Sequence, residues 1–355
     1  MRNVVVVTSD RSVSLQRVAN DIKYVFNKNG IHNVKLILSA DADPSTYKEV
    51  DTAIIVMTFD PAWVLPYMYL ARALKNRGKK VFFYTTTEGR IKRIHGDQWI
   101  YRDLSFIANS KYTKEKLVEA GARVDAVVYH GTRVDAFKAF KWRAKAIREK
   151  LGLSQNDFVV GYIAGGYMRK GHDVFAEVCK IVKEKDPSIK FVILTDRKGA
   201  SHYNEVDNVI LIPEFGKLSQ DMVYGLYHTF DLYAQASLSE GYALPIVEAL
   251  AAGKPVVHAD YNPLSEITTP KTSFRVPVID VSYKREFGAI EYELHFYDPN
   301  DFADAIIQAK DEVLKNRSDY KARCIERAKE FDVEKTYKYF VKSSITGGED
   351  LALQV

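Results

Sequence analysis

The chain is poor in cysteine. Its 355 residues contain two, Cys179 and Cys324, which lie far apart in sequence and have no second Cys or His at metal-ligand spacing. This excludes a disulfide-stabilised scaffold and a cysteine-based zinc site. It predicts two small buried thiols in a reducing compartment.

Long apolar runs are also missing. No segment approaches the roughly 18 apolar residues needed to cross a bilayer. The valine run Val4–Val7 is too short for the core of a signal peptide. We therefore predict a cytoplasmic protein and leave open a peripheral contact with the inner face of the membrane.

The chain has no strong excess of charge of one sign. Lys and Arg total 51 against 46 Asp and Glu, which gives a net charge of +5. The charges are interspersed along the chain, so the composition does not predict a nucleic-acid partner. A hydrophobic content of 46% is that of an ordinary globular protein.

Short apolar runs alternate with helical patterns along the whole chain. Val4–Val7 is typical of a strand buried on both faces, and the alternation restarts at Phe158. At about 150 residues per domain, the length predicts two domains. The predicted fold is α/β, with two Rossmann-like, doubly wound parallel-sheet domains at residues 1–150 and 151–335 and ligand sites at the carboxyl ends of the strands.

The segment Asp231–Asp260 carries the most information about function. A predicted strand at Leu232–Gln235 is followed by a loop. Pro245 suits the first turn of a helix because its missing N–H costs nothing there, and Gly253 suits the end of that helix. The turn Gly241–Leu244 is therefore expected to present backbone N–H groups at a helix N-terminus, which favours an anion.

Two glutamates flank this turn. Glu240 comes just before it, and Glu248 lies about one turn inside the predicted helix. Carboxylates repel a phosphate, but they accept hydrogen bonds from hydroxyl groups, such as those of a sugar and a ribose on either side of a diphosphate. The structural alternative is a surface cap at Glu240 and a solvated helix residue at Glu248.

The same segment resembles the signature of the family 4 retaining glycosyltransferases of the GT-B fold. Ala243 stands where that family has glycine, and the matching residues are Glu240, Gly241, Tyr242, Leu244, Pro245, Glu248, Ala249, Ala251, Gly253, Pro255, Val256 and Val257. The resemblance implies two domains facing across a cleft. It also implies retaining, metal-independent transfer of a hexose from a nucleoside diphosphate sugar to a hydroxyl acceptor, without a further cofactor.

The resemblance also implies roles for single residues. Glu248 would bind the ribose hydroxyls, Glu240 the transferred sugar, and Lys170 the departing diphosphate. The arginine that the family places shortly before this lysine is missing, so we assign its role to Arg169, whose guanidinium could chelate two phosphate oxygens. The remaining donor-binding candidates are the turn residues Gly241, Tyr242, Ala243 and Leu244, the loop residues Gly165 and Gly166, and Phe215 near the base.

The first domain departs more from the family. Asp10 lies in a stretch that replaces the usual glycine pair, and the histidine expected after the strand Val81–Tyr84 is missing. Asp10, Thr85, Glu88 and His95 are the acceptor-side candidates. The alternatives are a capping role for Glu88 and an ordinary surface or core histidine at His95.

Two helical segments lie outside these motifs. The C-terminal one, near residues 336–355, resembles the helix that returns to the first domain in this fold. The connector Lys138–Lys150 is basic, with Trp142 beside an apolar stripe. It fits either a membrane-surface helix or an amphipathic helix docked on its own domain, which we favour.

Two other functions fit the sequence. One is a GT-B phosphorylase or sugar-phosphate synthase. The other is a catalytically silent nucleotide-sugar-binding protein, because an arginine, a glycine pair and a histidine of the family are missing. The base, the sugar, the acceptor and the oligomeric state are not specified by the sequence.

Overall fold

The computed structural model describes residues 3–40, 44–91, 104–285 and 290–345. They form two compact units. The first unit contains the described residues before Arg133, those of the segment Tyr283–Tyr292 and those from Phe331 onward. The second contains Arg133–Ser282 and Glu293–Glu330.

The first unit is built on a six-stranded parallel sheet. Its strands are β1 Val4–Val7, β2 Val34–Ile37, β3 Thr52–Thr58, β4 Lys80–Thr86, β6 Ser105–Ala108 and β7 Arg123–Val127, while β5 Gly89–Ile91 belongs to a smaller sheet. The strand order is β2-β1-β3-β4-β6-β7. The central strands are rich in buried β-branched and aromatic residues, as expected for a sheet that is covered on both faces.

The described helices of this unit are Val13–Lys28, Pro61–Asn76, Lys111–Glu119, Val333–Thr336 and Lys338–Ile345. Ser12 caps the first helix, because its hydroxyl accepts a hydrogen bond from the Leu15 N–H at 3.4 Å. From the sequence we expect the second helix to begin at Leu65. It begins earlier, at Pro61, and carries Pro66 inside, where the missing N–H removes one intrahelical bond.

The described end of the chain packs within the first unit. Tyr337 and Phe340 are fully buried beside Tyr84, with ring centroids 6.3 and 5.1 Å from it. The Tyr337 hydroxyl accepts a hydrogen bond from the Gly131 N–H at 3.0 Å. Residues 346–355, which complete the predicted C-terminal helix, lie outside the described residues.

The second unit has its own six-stranded parallel sheet, in the order β10-β9-β8-β11-β12-β13. The strands are β8 Phe158–Ile163, β9 Ile189–Leu194, β10 Val209–Ile212, β11 Leu232–Gln235, β12 Val256–Ala259 and β13 Ser273–Val276. The chain reverses its direction of travel across the sheet between β8 and β11. Ligands of open α/β sheets bind at such a switch point. The two parallel sheets confirm the predicted α/β, doubly wound fold class.

Helices surround this second sheet. They are Val134–Phe140, Arg143–Lys150, His172–Lys185, Arg197–Ala200, Gln220–Thr229, Leu244–Ala251, Leu264–Ile267, Pro299–Lys315 and Arg317–Lys329. A third, smaller sheet has the order β14-β15-β5, with β14 at Asp280–Lys284 and β15 at Ile290–Phe296. In it β5 pairs antiparallel with Ile290–Tyr292. The sequence did not predict this pairing.

The connector between the two predicted domains groups with the second unit, which begins at Arg133. Phe137 is fully buried with its ring centroid 4.5 Å from that of Tyr224, and Phe140 stacks on the same tyrosine at 5.8 Å. The apolar stripe therefore docks on its own unit, while Trp142 is 68% exposed. Among the described residues, no helix is long and apolar enough to cross a membrane.

Candidate functional site

Two loops meet at the switch point of the second unit. One follows β8 and contains the turn Met168–Lys170, and the other follows β11 and leads to the helix Leu244–Ala251. The backbone carbonyl of Arg169 accepts hydrogen bonds from the N–H groups of Leu238, at 2.8 Å, and Ser239, at 3.3 Å. The two loops are therefore joined through main-chain atoms.

This junction brings together the three predicted catalytic side chains. The Lys170 ammonium lies 2.5 Å from Oε1 of Glu240, and the Arg169 guanidinium lies 3.6 Å from Oε2 of the same carboxylate. All three side chains are at most 15% exposed. A buried ion pair requires further hydrogen bonds to offset desolvation. Gln235 supplies one, because its amide nitrogen donates to Oε1 of Glu240 at 3.0 Å.

Glu240 is ionised in this setting. Burial alone raises the pKa of its carboxyl, but the charges of Lys170 and Arg169 and hydrogen bonds from Lys170 and Ser237 outweigh burial. The pKa of Glu240 therefore lies below its ordinary value. The cluster holds one negative and two positive side chains, and its surplus positive charge suits an anionic ligand.

The second signature glutamate lies in the same unit. Glu248 is buried within the helix Leu244–Ala251, and its Oε2 accepts a hydrogen bond from the Tyr227 hydroxyl at 2.6 Å. Glu248 is therefore not the solvated helix residue of the structural alternative. A carboxylate can accept several hydrogen bonds, so Glu248 is suited to bind hydroxyl groups.

The turn before this helix takes an unusual backbone conformation. Gly241, Tyr242, Ala243 and Leu244 are all buried, and Ala243 has a φ of 74° and a ψ of 61°. This is the left-handed region that glycine occupies without cost and that strains other residues. Ala243 therefore adopts a conformation suited to the glycine of the family, at the N-cap of the helix.

The glycine pair after β8 is closely surrounded. A Cβ at Gly166 would lie 2.4 Å from the backbone nitrogen of Gly199, and a Cβ at Gly165 would lie 3.3 Å from the ring of Phe215. Asp196 holds the loop, because its carboxylate accepts hydrogen bonds from the N–H groups of Gly166, at 2.8 Å, and Gly199, at 2.9 Å. The structure thus places three predicted donor-binding residues, Gly165, Gly166 and Phe215, side by side.

A buried histidine supports the same loop. The Nε2 atom of His172 lies 3.1 Å from the Gly165 carbonyl, and its Nδ1 lies 2.9 Å from the Tyr203 hydroxyl. Burial lowers the pKa of His172 to about 4, so the ring is neutral near pH 7. A neutral ring that donates from Nε2 and accepts at Nδ1 satisfies both neighbours.

The loop after β11 is braced by aromatic side chains. The Tyr261 and Tyr297 hydroxyls donate to the carbonyls of Ser237, at 2.7 Å, and Ala236, at 2.9 Å. The His295 ring stacks on Tyr261 with a centroid distance of 4.0 Å. The backbone that leads to Glu240 is therefore fixed from several sides.

The acceptor-side candidates are spread over the first unit. The Thr85 side chain is buried, and its hydroxyl donates to the Met57 carbonyl at 2.8 Å inside the sheet. Asp10 is exposed in the turn after β1, and Glu88 is half-buried between β4 and β5. His95 lies outside the described residues. These three described residues belong to a different unit from the charge cluster.

Four polar residues of this site were not predicted from the sequence, namely Gln235, Tyr227, Asp196 and His172. Asp196 carries a local signal, since it follows a strand and caps the short helix Arg197–Ala200. The other three are buried polar side chains whose partners, from 2 to 31 residues away, depend on how the chain folds around them. A buried polar group must find a partner, but the sequence does not identify it.

Residues 143–331 match the family model of the glycosyl transferases group 1. A curated relative named uncharacterized glycosyltransferase 335, from Sulfolobus islandicus rod-shaped virus 1, is 27% identical over 337 residues. The alignment covers 93% of this chain and 97% of the relative.

Solved structures share the fold at low identity. A glycosyltransferase from Rickettsia africae ESF-5 has a TM-score of 0.73 and 15% identity, covering 97% of this chain and 98% of that one. The Anabaena protein HepE, solved in complex with UDP-glucose, has a TM-score of 0.69 and 16% identity, covering 97% of this chain and 100% of that one.

Proposed function

The chain belongs to the glycosyl transferases group 1 family, and from this premise we propose that it moves a hexose from a nucleoside diphosphate sugar to a hydroxyl acceptor. The observation that carries the proposal is the buried cluster of Lys170, Arg169 and Glu240 beside a helix N-terminus. Two cations and a set of backbone N–H groups are what a diphosphate requires.

The proposed roles follow from the positions of these groups. Lys170 and Arg169 bind the diphosphate together with the N–H groups of the turn Gly241–Leu244. Glu248, held by Tyr227, accepts hydrogen bonds from the ribose hydroxyls. Glu240 contacts the transferred sugar. The UDP-glucose complex of HepE supports a UDP-sugar as the first donor to test.

The proposed reaction retains the configuration at the anomeric carbon. The bond between this carbon and the phosphate oxygen breaks, and its electron pair stays on the diphosphate. The acceptor oxygen forms the new bond on the same face, and its proton passes to the leaving phosphate. Lys170 and Arg169 stabilise the growing negative charge, which is the main contribution that a preorganised site makes to such a step. No enzyme nucleophile and no metal ion are needed in this scheme.

The test is a panel of UDP-, GDP- and ADP-sugars incubated with sugar, sugar-phosphate and lipid acceptors, with and without EDTA. We expect transfer that survives EDTA and a product with the anomeric configuration of the donor by NMR. An inverted product or loss of activity in EDTA would contradict the scheme. Transfer to a sugar phosphate alone, or reaction with inorganic phosphate, would favour a synthase or phosphorylase. Donor binding without turnover would favour a silent binding protein.

Two variants test whether the reaction depends on the cluster of Lys170, Arg169 and Glu240. Lys170→Met should abolish measurable transfer, because it removes the charge placed at the leaving group. Lys145→Met, in the same unit, removes a lysine whose side chain is 77% exposed and should leave transfer unchanged. Equal activity of both variants would contradict the proposed site.

A further inference from the structure

One polar residue of the site is explained neither by the family signature nor by the sheet. Gln235 is the last residue of β11, and it is 1% exposed. Its amide nitrogen donates to Ser237 Oγ at 2.8 Å and to Glu240 Oε1 at 3.0 Å. In the part of the chain that the structure describes, its side-chain carbonyl has no hydrogen-bond partner.

The orientation of this amide follows from its neighbour. A carboxylate oxygen only accepts hydrogen bonds, so the group that faces Glu240 must be the NH₂ end. A buried carbonyl without a partner is costly. The two N–H groups of Gln235 therefore explain its position, since they make its hydrogen bonds, one of them to Glu240.

Gln235 is a neutral hydrogen-bond donor to Glu240, whereas Lys170 and Arg169 are its charged partners. In the proposed function, Lys170 and Arg169 bind the diphosphate. The Gln235 amide carries no charge, and it is fixed by the strand and by Ser237, so the phosphates do not attract it in the same way.

We propose that Gln235 is a positioning residue that holds Glu240 in place in the donor complex. The inference rests on the proposed function and adds a residue to it. Its action is confined to Glu240, because Gln235 touches that carboxylate and Ser237 and is not assigned to the substrate.

Several titratable groups lie around Gln235 and Glu240 and influence the protonation of Glu240. Lys170 and Arg169 face Glu240 from the loop after β8. His258 lies opposite Gln235 on β12, and burial lowers its pKa to about 4, so it is neutral near pH 7. Tyr162 and Tyr233 interact with Glu240, and burial raises the pKa of both hydroxyls. The cations are thus the main charges that face the carboxylate.

Two substitutions test the role. Gln235→Met keeps the length of the side chain and removes the donor at every pH. We expect its kcat to fall roughly 10- to 100-fold, the cost of one hydrogen bond to a charged group. KM for the donor should change little, because the bond acts on a group that works in the transition state.

Gln235→Glu gives a sharper readout. At neutral pH the new carboxylate repels Glu240 and kcat should be low. On acidification the coupled pair takes up one proton, and the protonated carboxyl donates a hydrogen bond again. The ratio of its kcat to that of the wild type should therefore rise as the pH falls, whereas the ratio for Gln235→Met should stay flat.

The control is Asn208→Asp, which makes the same change from amide to carboxyl in a buried residue of this unit, where the amide donates to the Cys179 carbonyl at 3.2 Å. It should show no recovery on acidification. Circular dichroism at each pH confirms that the proteins compared are folded. Wild-type kcat in both Gln235 variants, or an equal loss in Gln235→Glu at every pH, overturns the role of Gln235. A wild type that transfers sugar from no donor overturns the proposed function as well.

Discussion

The Lys170 ammonium lies 2.5 Å from the Glu240 carboxylate, and these two side chains are 15% and 6% exposed. The two residues come from loops that follow β8 and β11, which are neighbours in the sheet. The junction of the two loops therefore holds a buried, paired lysine. In the proposed function, a diphosphate that binds there gains two cations whose desolvation has already occurred on folding.

Removing the lysine should cost stability as well as activity. Lys170→Met leaves Glu240 buried with Arg169 as its remaining cation, and breaking a buried pair typically costs about 3 kcal/mol or more. We expect a fall of that order in the free energy of unfolding, measured with urea. Lys145→Met breaks an exposed pair with Glu149 and should cost about 0.5 kcal/mol or less. Equal losses would show that the burial of the first pair is unimportant.

Tyr227→Phe tests the support of Glu248. The change removes the hydroxyl that donates to Glu248 at 2.6 Å and keeps the ring. If Glu248 binds the ribose, we expect donor affinity to fall roughly 10-fold, the cost of about one hydrogen bond to a charged group, as measured by calorimetry. Tyr337→Phe is the control, because it removes a buried tyrosine hydroxyl of the first unit, which accepts a hydrogen bond from the Gly131 N–H at 3.0 Å. Unchanged affinity in Tyr227→Phe would separate Glu248 from the nucleotide site.

Ala243→Gly should not destabilise the protein. Alanine at a φ of 74° carries strain that glycine lacks, which offsets the entropy that glycine loses on folding. In Ala305→Gly, inside the helix Pro299–Lys315, there is no such strain, so the change should cost about 1 kcal/mol. Urea unfolding of both variants gives the comparison. A cost at Ala243 as large as that at Ala305 would show that its backbone is unstrained in solution.

Acid should weaken the fold before the carboxylates titrate. Burial lowers the pKa of His130 to about 3 and those of His172 and His258 to about 4, against 6.5 for an ordinary histidine. Below pH 6.5 the unfolded chain takes up protons that the folded chain does not, so stability falls as the pH drops toward 4. Each histidine should contribute on the order of 1 to 2 kcal/mol between pH 7.5 and 5.

Denaturation curves at the two pH values measure this loss. His258→Gln should reduce the difference between them, and His32→Gln, which changes an exposed histidine, should not. A stability that does not change between pH 7.5 and 5 would contradict the burial of neutral histidines.

Most helices and strands could be predicted from the sequence, because the residue patterns that indicate them are local. The strands Val4–Val7 and Leu232–Gln235 were predicted with the observed bounds. The sheet that joins β5 to β15 was missed, because β5 has only three residues and lies far from β15 in the chain. The pairing depends on tertiary contacts that periodicity does not report.

The features of the site that depend on local spacing were predicted, and those that depend on folding were not. Glycine, proline and glutamate spacing predicted the turn Gly241–Leu244 and singled out Glu240 and Glu248. The contacts of Gln235 depend on how the loop after β11 folds, and the contact between Tyr227 and Glu248 depends on how two helices pack, so the sequence did not predict them. The strain at Ala243 was also hidden, since the sequence shows a substitution without its backbone angle.

The main-chain bonds from Leu238 and Ser239 to the Arg169 carbonyl have a consequence for variation in this protein. Backbone atoms make them, so exchange of the side chains at these positions leaves the donors and the acceptor in place. Insertions or deletions in either loop would break them, because they change the length of chain between strand and bond. Libraries that vary the side chains of Leu238 and Ser239 should therefore keep the two loops joined, and libraries that vary loop length should separate them.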